Sequence, residues 1–166
     1  MKRIALLAAV ALALSGCGLR PLYGGGAAGP VQSTLAAVEV APIEGKSGWL
    51  VTNALNERLD TRGATPRYRL EIKLDDQIAG LGVRRDDSVA RERRLLRARY
   101  QLIDLSSGAV VLDATAGSDA GIDVVGSEYA TIAAENTALE RLSGIVADQI
   151  VARVARFAQS GAVGAQ

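Results

Sequence analysis

The chain has 166 residues, of which 19 are Lys or Arg and 18 are Asp or Glu, so its formal net charge is only +1. It contains no histidine and one cysteine, which excludes Ser-His-Asp and Cys-His catalysis and argues against a transition-metal site. With so little net charge, no nucleic-acid partner is expected, and a charged ligand must be recognised by a local patch. We therefore expect no enzymatic activity, no cofactor and no metal.

Residues 1–16 have the layout of a secretory signal peptide. A basic pair precedes an apolar run over residues 4–14, which is shorter than the ~20 residues of a membrane-spanning helix. The run ends in LSGC at Cys17, which resembles the lipobox of bacterial lipoproteins and implies cleavage before Cys17 and lipidation of that residue. In lipoproteins of this kind, an aspartate after the cysteine retains the protein in the inner membrane. Gly18 occupies that position here, so the same resemblance implies sorting to the outer membrane. We predict a lipid-anchored protein that faces the periplasm.

Residues 17–33 are predicted to form a flexible tether, because they contain five glycines and two prolines. We expect a single α/β sandwich domain over residues 34–158 and a frayed tail over residues 159–166. The domain is long enough to bury a core without disulfides.

The predicted domain begins with a strand over residues 35–43, where Val38 and Val40 alternate with Glu39. A helix from Ser47 to residue 62 follows, because its apolar residues recur at spacings of three and four. Trp49, near the start of this helix, is predicted to pack in the core.

Strict alternation over residues 67–75 predicts a strand with one buried and one solvated face, followed by a turn at residues 78–82. Residues 88–105 and 110–115 are predicted to form a hairpin around the Ser-Ser-Gly turn at residues 106–108, and Tyr68 and Tyr100 are expected in the core. Helical spacing predicts one long helix over residues 127–157. The predicted fold is α+β, with two helices packed on one face of a mostly antiparallel four-stranded sheet.

Basic residues concentrate on two neighbouring predicted strands, and the stretch from residue 84 to 99 holds seven arginines and three acids. Alternation places several of these cations on one strand face, around Leu95. Arginine suits bidentate binding of phosphate, so this face is a candidate site for an anionic amphiphile. The candidates are Arg91, Arg93, Arg97 and Arg99, with Arg67, Arg69 and Lys73 from the preceding strand. The alternative is a solvated surface that discourages strand pairing.

Two segments resemble one known family. The first is CGLRPLYG at residues 17–24, and the second starts with SEYA at residues 127–130 and continues as an amphipathic helix to Phe157. Both are similar to the LPS-assembly lipoprotein LptE family, in the branch whose mature chain starts C-G-x-x-P-L-Y-G. The resemblance implies a non-enzymatic α/β sandwich that binds lipopolysaccharide (LPS). It further implies that the protein plugs and helps to assemble the outer-membrane β-barrel LptD and helps to deliver LPS to the outer leaflet.

Two other functions compete with this one. An auxiliary lipoprotein of another envelope lipid-transport complex would have the same anchor and a similar fold. A carboxylate-based hydrolase would need two acids in one pocket, but Asp75-Asp76 and Asp86-Asp87 are sequence neighbours, and neighbours in a strand point to opposite faces.

Overall fold

A computed structural model describes residues 29–59, 61, 63–83, 89–124 and 126–163. The helices are α1 (Pro30–Ala36), α2 (Gly45–Leu59) and α3 (Glu128–Val163), and the strands are β1 (Val38–Val40), β2 (Tyr68–Val83), β3 (Val89–Asp104) and β4 (Val110–Asp123). The predicted signal peptide, Cys17 and the tether up to residue 28 lie outside the described residues.

The strands form one mixed sheet in the order β1-β2-β3-β4. β1 pairs with β2 in parallel, whereas β2, β3 and β4 form a long antiparallel meander. The turn between β3 and β4 falls at the predicted Ser-Ser-Gly segment, where Gly108 has a φ of +70°, a value that favours glycine. The predicted α+β class and mostly antiparallel sheet are confirmed.

All three helices contribute to one hydrophobic core with the same face of the sheet. The even-numbered strand residues supply that face, and Leu70, Leu96, Tyr100 and Leu102 are fully buried. Small residues of β4, such as Ala116, lie on this face under α3 and allow the helix to approach closely. No helix within the described ranges is long and apolar enough to cross a membrane.

The first predicted strand is wrong at its start. Residues 30–36 form α1, so the strand is reduced to Val38–Val40, and residues 30–33 are helical where a tether was predicted. Pro30 occupies the first turn, where proline is tolerated. Val31 and Leu35 are buried, and because they lie four residues apart they fall on one helix face. Burial of this apolar pair stabilises a helix before the short alternating segment, so only Val38–Val40 forms a strand.

Two strands are longer than predicted. β2 continues through the predicted turn at residues 78–82, and β4 continues from residue 115 to Asp123. In both places pairing with β3 is maintained, as far as Val83 opposite Val89 in β2 and Asp123 opposite Arg91 in β4. Glycine has a low strand propensity, but in these segments cross-strand pairing with the central strand β3 overrides that local preference.

The helix boundaries also differ from the prediction. α2 begins at Gly45 and not at Ser47, and α3 continues to Val163 through part of the predicted frayed tail. Trp49 is 63% exposed, so its predicted core position is wrong, whereas Tyr68 and Tyr100 are buried as predicted. The buried residues of α2 are Gly48, Val51, Leu55 and Leu59.

The position of Gly48 accounts for the exposure of Trp49. The backbone of α2 approaches the preceding segment so closely that a Cβ on Gly48 would lie 2.5 Å from the carbonyl oxygen of Ile43. The glycine therefore occupies the contact face of the helix, and the neighbouring tryptophan is turned toward solvent. By contrast, a Cβ on Gly144 in α3 would have its nearest atom at 3.7 Å, an ordinary contact.

We expect Gly48→Ala to lower the free energy of unfolding by about 1–3 kcal/mol, because the added methyl group forces the backbone of Ile43 to move. The matched variant Gly144→Ala should raise it by about 0.5–1 kcal/mol, since alanine is the better helix former. Urea denaturation of the purified variants measures both changes. A Gly48→Ala protein as stable as the wild type would contradict the close contact.

Candidate functional site

The predicted cationic face exists and is not covered by the helices. We define the open face as the sheet surface formed by odd-numbered residues 69–81 of β2, 91–103 of β3 and 113–123 of β4. The register places Lys73 opposite Arg99 and Asp75 opposite Arg97. Six of the predicted site residues lie on this face, namely Arg69, Lys73, Arg91, Arg93, Arg97 and Arg99.

Arg67 is separated from the other predicted residues. It precedes β2, and its Nε lies 3.7 Å from the carboxylate of Asp104, a buried residue on the helix-covered face. Its guanidinium group also lies 5.1 Å from the ring centroid of Tyr68, within the range of a cation–π contact. These contacts turn Arg67 toward the end of the sheet and away from the open face.

Carboxylates of the edge strand β4 pair with most of the arginines. Arg91 lies 3.0 Å from Asp123, Arg93 lies 3.0 Å from Asp119, and Arg99 lies 3.2 Å from Asp113. Asp119 and Asp123 lie beyond the predicted end of β4 at residue 115, and the pairing of Asp113 depends on the register between β3 and β4, which the sequence does not show. The three aspartates offset three positive charges, so the open face is a mixed surface and not a purely cationic one.

The hydrogen bonds of two of these pairs shift the pKa values of Asp113, Arg93 and Arg99. Hydrogen bonds from Gln101 and Arg99 lower the pKa of Asp113, and hydrogen bonds to Asp119 and Asp113 raise the pKa of Arg93 and Arg99, respectively. These pKa shifts favour the charged forms of Asp113, Arg93 and Arg99. Because the pairs are exposed, each one contributes little to stability.

Arg97 and Lys73 differ from their neighbours, because neither has an ion-pair partner among the described residues. Arg97 is opposite Gly117 in the register, and a Cβ on that glycine would lie 3.2 Å from the Cγ atom of Arg97. The missing side chain thus leaves room for the arginine stem to cross β4. Both cations are exposed and available to a ligand.

A shallow concavity of about 630 Å³ lies on the open face around these two cations. Lys73, Arg93, Arg97 and Arg99 line it together with the half-buried Leu95. Guanidinium and ammonium groups bind phosphate oxygens, whereas the aliphatic side chain and the arginine stems offer apolar contact. The arrangement suits an anionic group that is attached to an apolar body.

Of the acids considered for hydrolysis, the described pair Asp75-Asp76 does not form a site. Asp75 lies on the open face, but Asp76 lies on the helix-covered face, where Arg94 donates two hydrogen bonds to it at 2.9 and 2.7 Å. Arg94 also donates to the carbonyl oxygen of Glu135 in α3 at 3.0 Å, so it joins the sheet to the helix. Asp86-Asp87 lies outside the described residues.

The carboxyl groups of Glu92 and Glu135 lie near each other, next to Arg94. Burial, and then the nearby carboxylate of Glu135, raise the pKa of Glu92. Among the described residues, no three His, Cys, Asp or Glu side chains form a group that could hold a metal ion.

The fold is similar to several solved lipoprotein structures. A Caulobacter crescentus protein described as a lipoprotein aligns with a TM-score of 0.68 and 26% identity, over 80% of this chain and 98% of that chain. Lipoprotein B of Nitrosomonas europaea aligns with a TM-score of 0.58 and 13% identity, over 75% of this chain and 83% of that chain. Rare lipoprotein B of Shewanella oneidensis aligns with a TM-score of 0.52 and 12% identity, over 77% of this chain and 96% of that chain. At these last two identities the likeness concerns the fold alone.

Sequence comparison identifies the family. No curated protein matches the chain, but the family model described as "LptE: Lipopolysaccharide-assembly" matches residues 35–154. This range runs from the end of α1 to late in α3 and includes the whole sheet. The chain therefore belongs to the LptE family of lipopolysaccharide-assembly lipoproteins, which are not enzymes.

Proposed function

We propose that this protein is an outer-membrane lipoprotein that assists assembly of the β-barrel LptD, plugs the barrel and helps to deliver LPS to the outer leaflet. The observation that carries this proposal is the open face, where Arg97 and Lys73 flank a concavity without carboxylate partners among the described residues. Family membership supports the same function.

The two free cations are the proposed contacts for LPS phosphates. Arg97 offers a planar guanidinium group that can bind two phosphate oxygens, and Lys73 adds a second positive charge on the neighbouring strand. Leu95, between Arg93 and Arg97 along β3, offers an apolar surface for the ligand's hydrocarbon portion. The flanking arginines can exchange Asp119 or Asp113 for a phosphate at small cost, because exposed ion pairs are weak.

A mixed polar face also suits the interior of a barrel. The lumen of an outer-membrane barrel is polar, so a plug must present charged and hydrogen-bonding groups to it. The paired arginines and aspartates of β3 and β4 provide such groups with little net charge. LPS then contacts the part of this face where the cations lack partners.

The lipid anchor completes the proposal. Cys17 lies 13 positions before Pro30 in the sequence, so the intervening chain reaches at most about 45 Å when fully extended. A lipidated Cys17 would therefore hold the domain within that distance of the membrane while leaving it free to enter a barrel. The protein has no proposed catalytic role, and its activity is binding.

We expect the double variant Arg97→Gln with Lys73→Gln to bind LPS about tenfold more weakly, because two unpaired charges are lost from the concavity. The control is Arg141→Gln with Arg153→Gln, which removes equal charge from two exposed positions of α3. Titration of the purified proteins with LPS measures the affinities. Equal losses in the two double variants would mean that binding follows total charge and not this site.

We expect Cys17→Ala to abolish lipidation, because the sulfur that carries the lipid is absent. The variant should then be recovered as soluble periplasmic protein or as an uncleaved precursor, in contrast to a membrane-bound wild type. Fractionation of cells and mass spectrometry of the mature N-terminus test this. A cleaved variant that stays on the outer membrane would contradict the lipid anchor.

We expect affinity isolation of the tagged wild-type protein from outer membranes to recover one large β-barrel protein in stoichiometric amount. The partner would be identified by mass, and the protein carrying the neutralised Arg97 and Lys73 should retain it, since those residues are assigned to LPS. Recovery of an inner-membrane transporter or a periplasmic carrier instead would favour an auxiliary lipoprotein of another envelope lipid-transport complex.

A further inference from the structure

The outer edge of β4 carries an unusual side-chain contact. β4 is the last strand in the sheet order, so only one of its edges pairs with β3. On the other edge, the side-chain amide of Gln149 in α3 accepts a hydrogen bond from the backbone N–H of Gly117 at 3.0 Å and donates one to its carbonyl oxygen at 3.2 Å. These are the two bonds that a residue of an added strand would make.

The same geometry identifies further open positions along this edge. In an antiparallel pair, residues that do not bond to the partner strand alternate with those that do. Because the polar groups of Gly117 point outward, those of Thr115 and Asp119 point outward as well. Both residues lie in the regular part of the β3–β4 register, and both are exposed. The edge therefore offers a row of hydrogen-bonding groups on either side of Gln149.

Charge differs on the two sides of this edge. On the helix side, a groove of about 650 Å³ between β4 and α3 is lined by Arg153 and Arg156, which have no ion-pair partner among the described residues. The groove also contains Asp113 and Asp148, but these acids are paired with Arg99 and Arg58, respectively. On the open-face side, the edge strand presents its three aspartates, at positions 113, 119 and 123.

We propose that the outer edge of β4 is a docking site for an extended segment of a partner protein, which adds to the sheet as a fifth strand after displacing Gln149. The alternation of side chains in a strand fixes the chemistry of that segment. Its acidic side chains face Arg153 and Arg156 on the helix side. Its basic side chains face the β4 aspartates on the open face, whose exposed ion pairs with β3 arginines are weak enough to be exchanged. This proposal does not depend on LPS binding.

The charge distribution disfavours a second copy of this chain as the occupant. If two β4 edges paired antiparallel in one continuous sheet, the two helix layers would lie on the same side. The arginines of one α3 would then approach those of the other, and the aspartates of the two β4 strands would also meet. Like charges that face each other across strands are destabilising, so a partner of complementary pattern fits better.

The test uses a short synthetic peptide in which Glu and Lys alternate, with the purified full chain. Two control peptides carry backbone N-methyl groups, one at every Lys and the other at every Glu. Only one set of peptide N–H groups can face β4 in a paired strand. We therefore expect one methylated peptide to lose binding and the other to keep it, and the parent peptide to slow amide exchange at Thr115, Gly117 and Asp119.

Variants of the chain test the role of Gln149. Gln149→Ala should bind the parent peptide about tenfold more tightly, because two hydrogen bonds no longer have to be broken first. Gln32→Ala on α1 is the matched control and should bind like the wild type. Arg153→Glu combined with Arg156→Glu should abolish binding, since the acidic side chains of the peptide would meet acids.

Three results would overturn the proposal. Equal binding of both methylated peptides would mean that charge alone attracts them and that no strand is added. Unchanged amide exchange at the β4 edge with millimolar peptide would mean that the edge does not accept a strand. Dimerisation of Gln149→Ala without peptide, measured by sedimentation, would make a second copy the occupant.

Discussion

The register of three long antiparallel strands is the constraint on which the rest of the structure depends. Because β2, β3 and β4 keep one alternation over most of their length, the same register that buries Leu70, Leu96 and Tyr100 also exposes Lys73 and Arg97. A slip of one residue would exchange the two faces of a strand. The core and the proposed binding surface are therefore specified together, and a change of register would disrupt both.

Buried polar contacts help to fix this register. Arg94 lies on the helix-covered face, where it bonds to Asp76 of the neighbouring strand and to the Glu135 carbonyl oxygen of α3. A buried arginine with an unpaired guanidinium group is costly, so displacement of either partner carries a large penalty. This one side chain belongs to the same arginine-rich stretch as the proposed LPS contacts, but its role is structural.

The charges of the open face suggest how one surface could both bind LPS and contact the polar lumen of a barrel. A face of unpaired arginines would repel itself and bind anions without discrimination. Aspartates from β4 neutralise the arginines along most of the face, whereas Gly117 supplies no side chain opposite Arg97. The position of one glycine thus determines where a cation stays available, and the remaining surface stays polar without a strong net charge.

Much of the central sheet could be predicted because alternation is a direct consequence of strand geometry. Alternation predicted a strand over residues 88–105, and β3 extends over Val89–Asp104. It also placed Arg91, Arg93, Arg97 and Arg99 on one face. The second half of β4 was missed, because its glycines and small residues have low strand propensity and are held by pairing with β3. The availability of Arg97 was also beyond prediction, since it depends on which residue lies across the sheet.

The proposed function requires that the open face, and not the helix layer, contacts LPS during its transport. The most direct test places a photo-crosslinking amino acid at Leu95 on the open face and, separately, at Trp49, which is 63% exposed on α2. Irradiation of intact cells followed by detection of LPS adducts compares the two positions. We expect LPS adducts at position 95 and none at position 49, and the reverse pattern would overturn the proposed function.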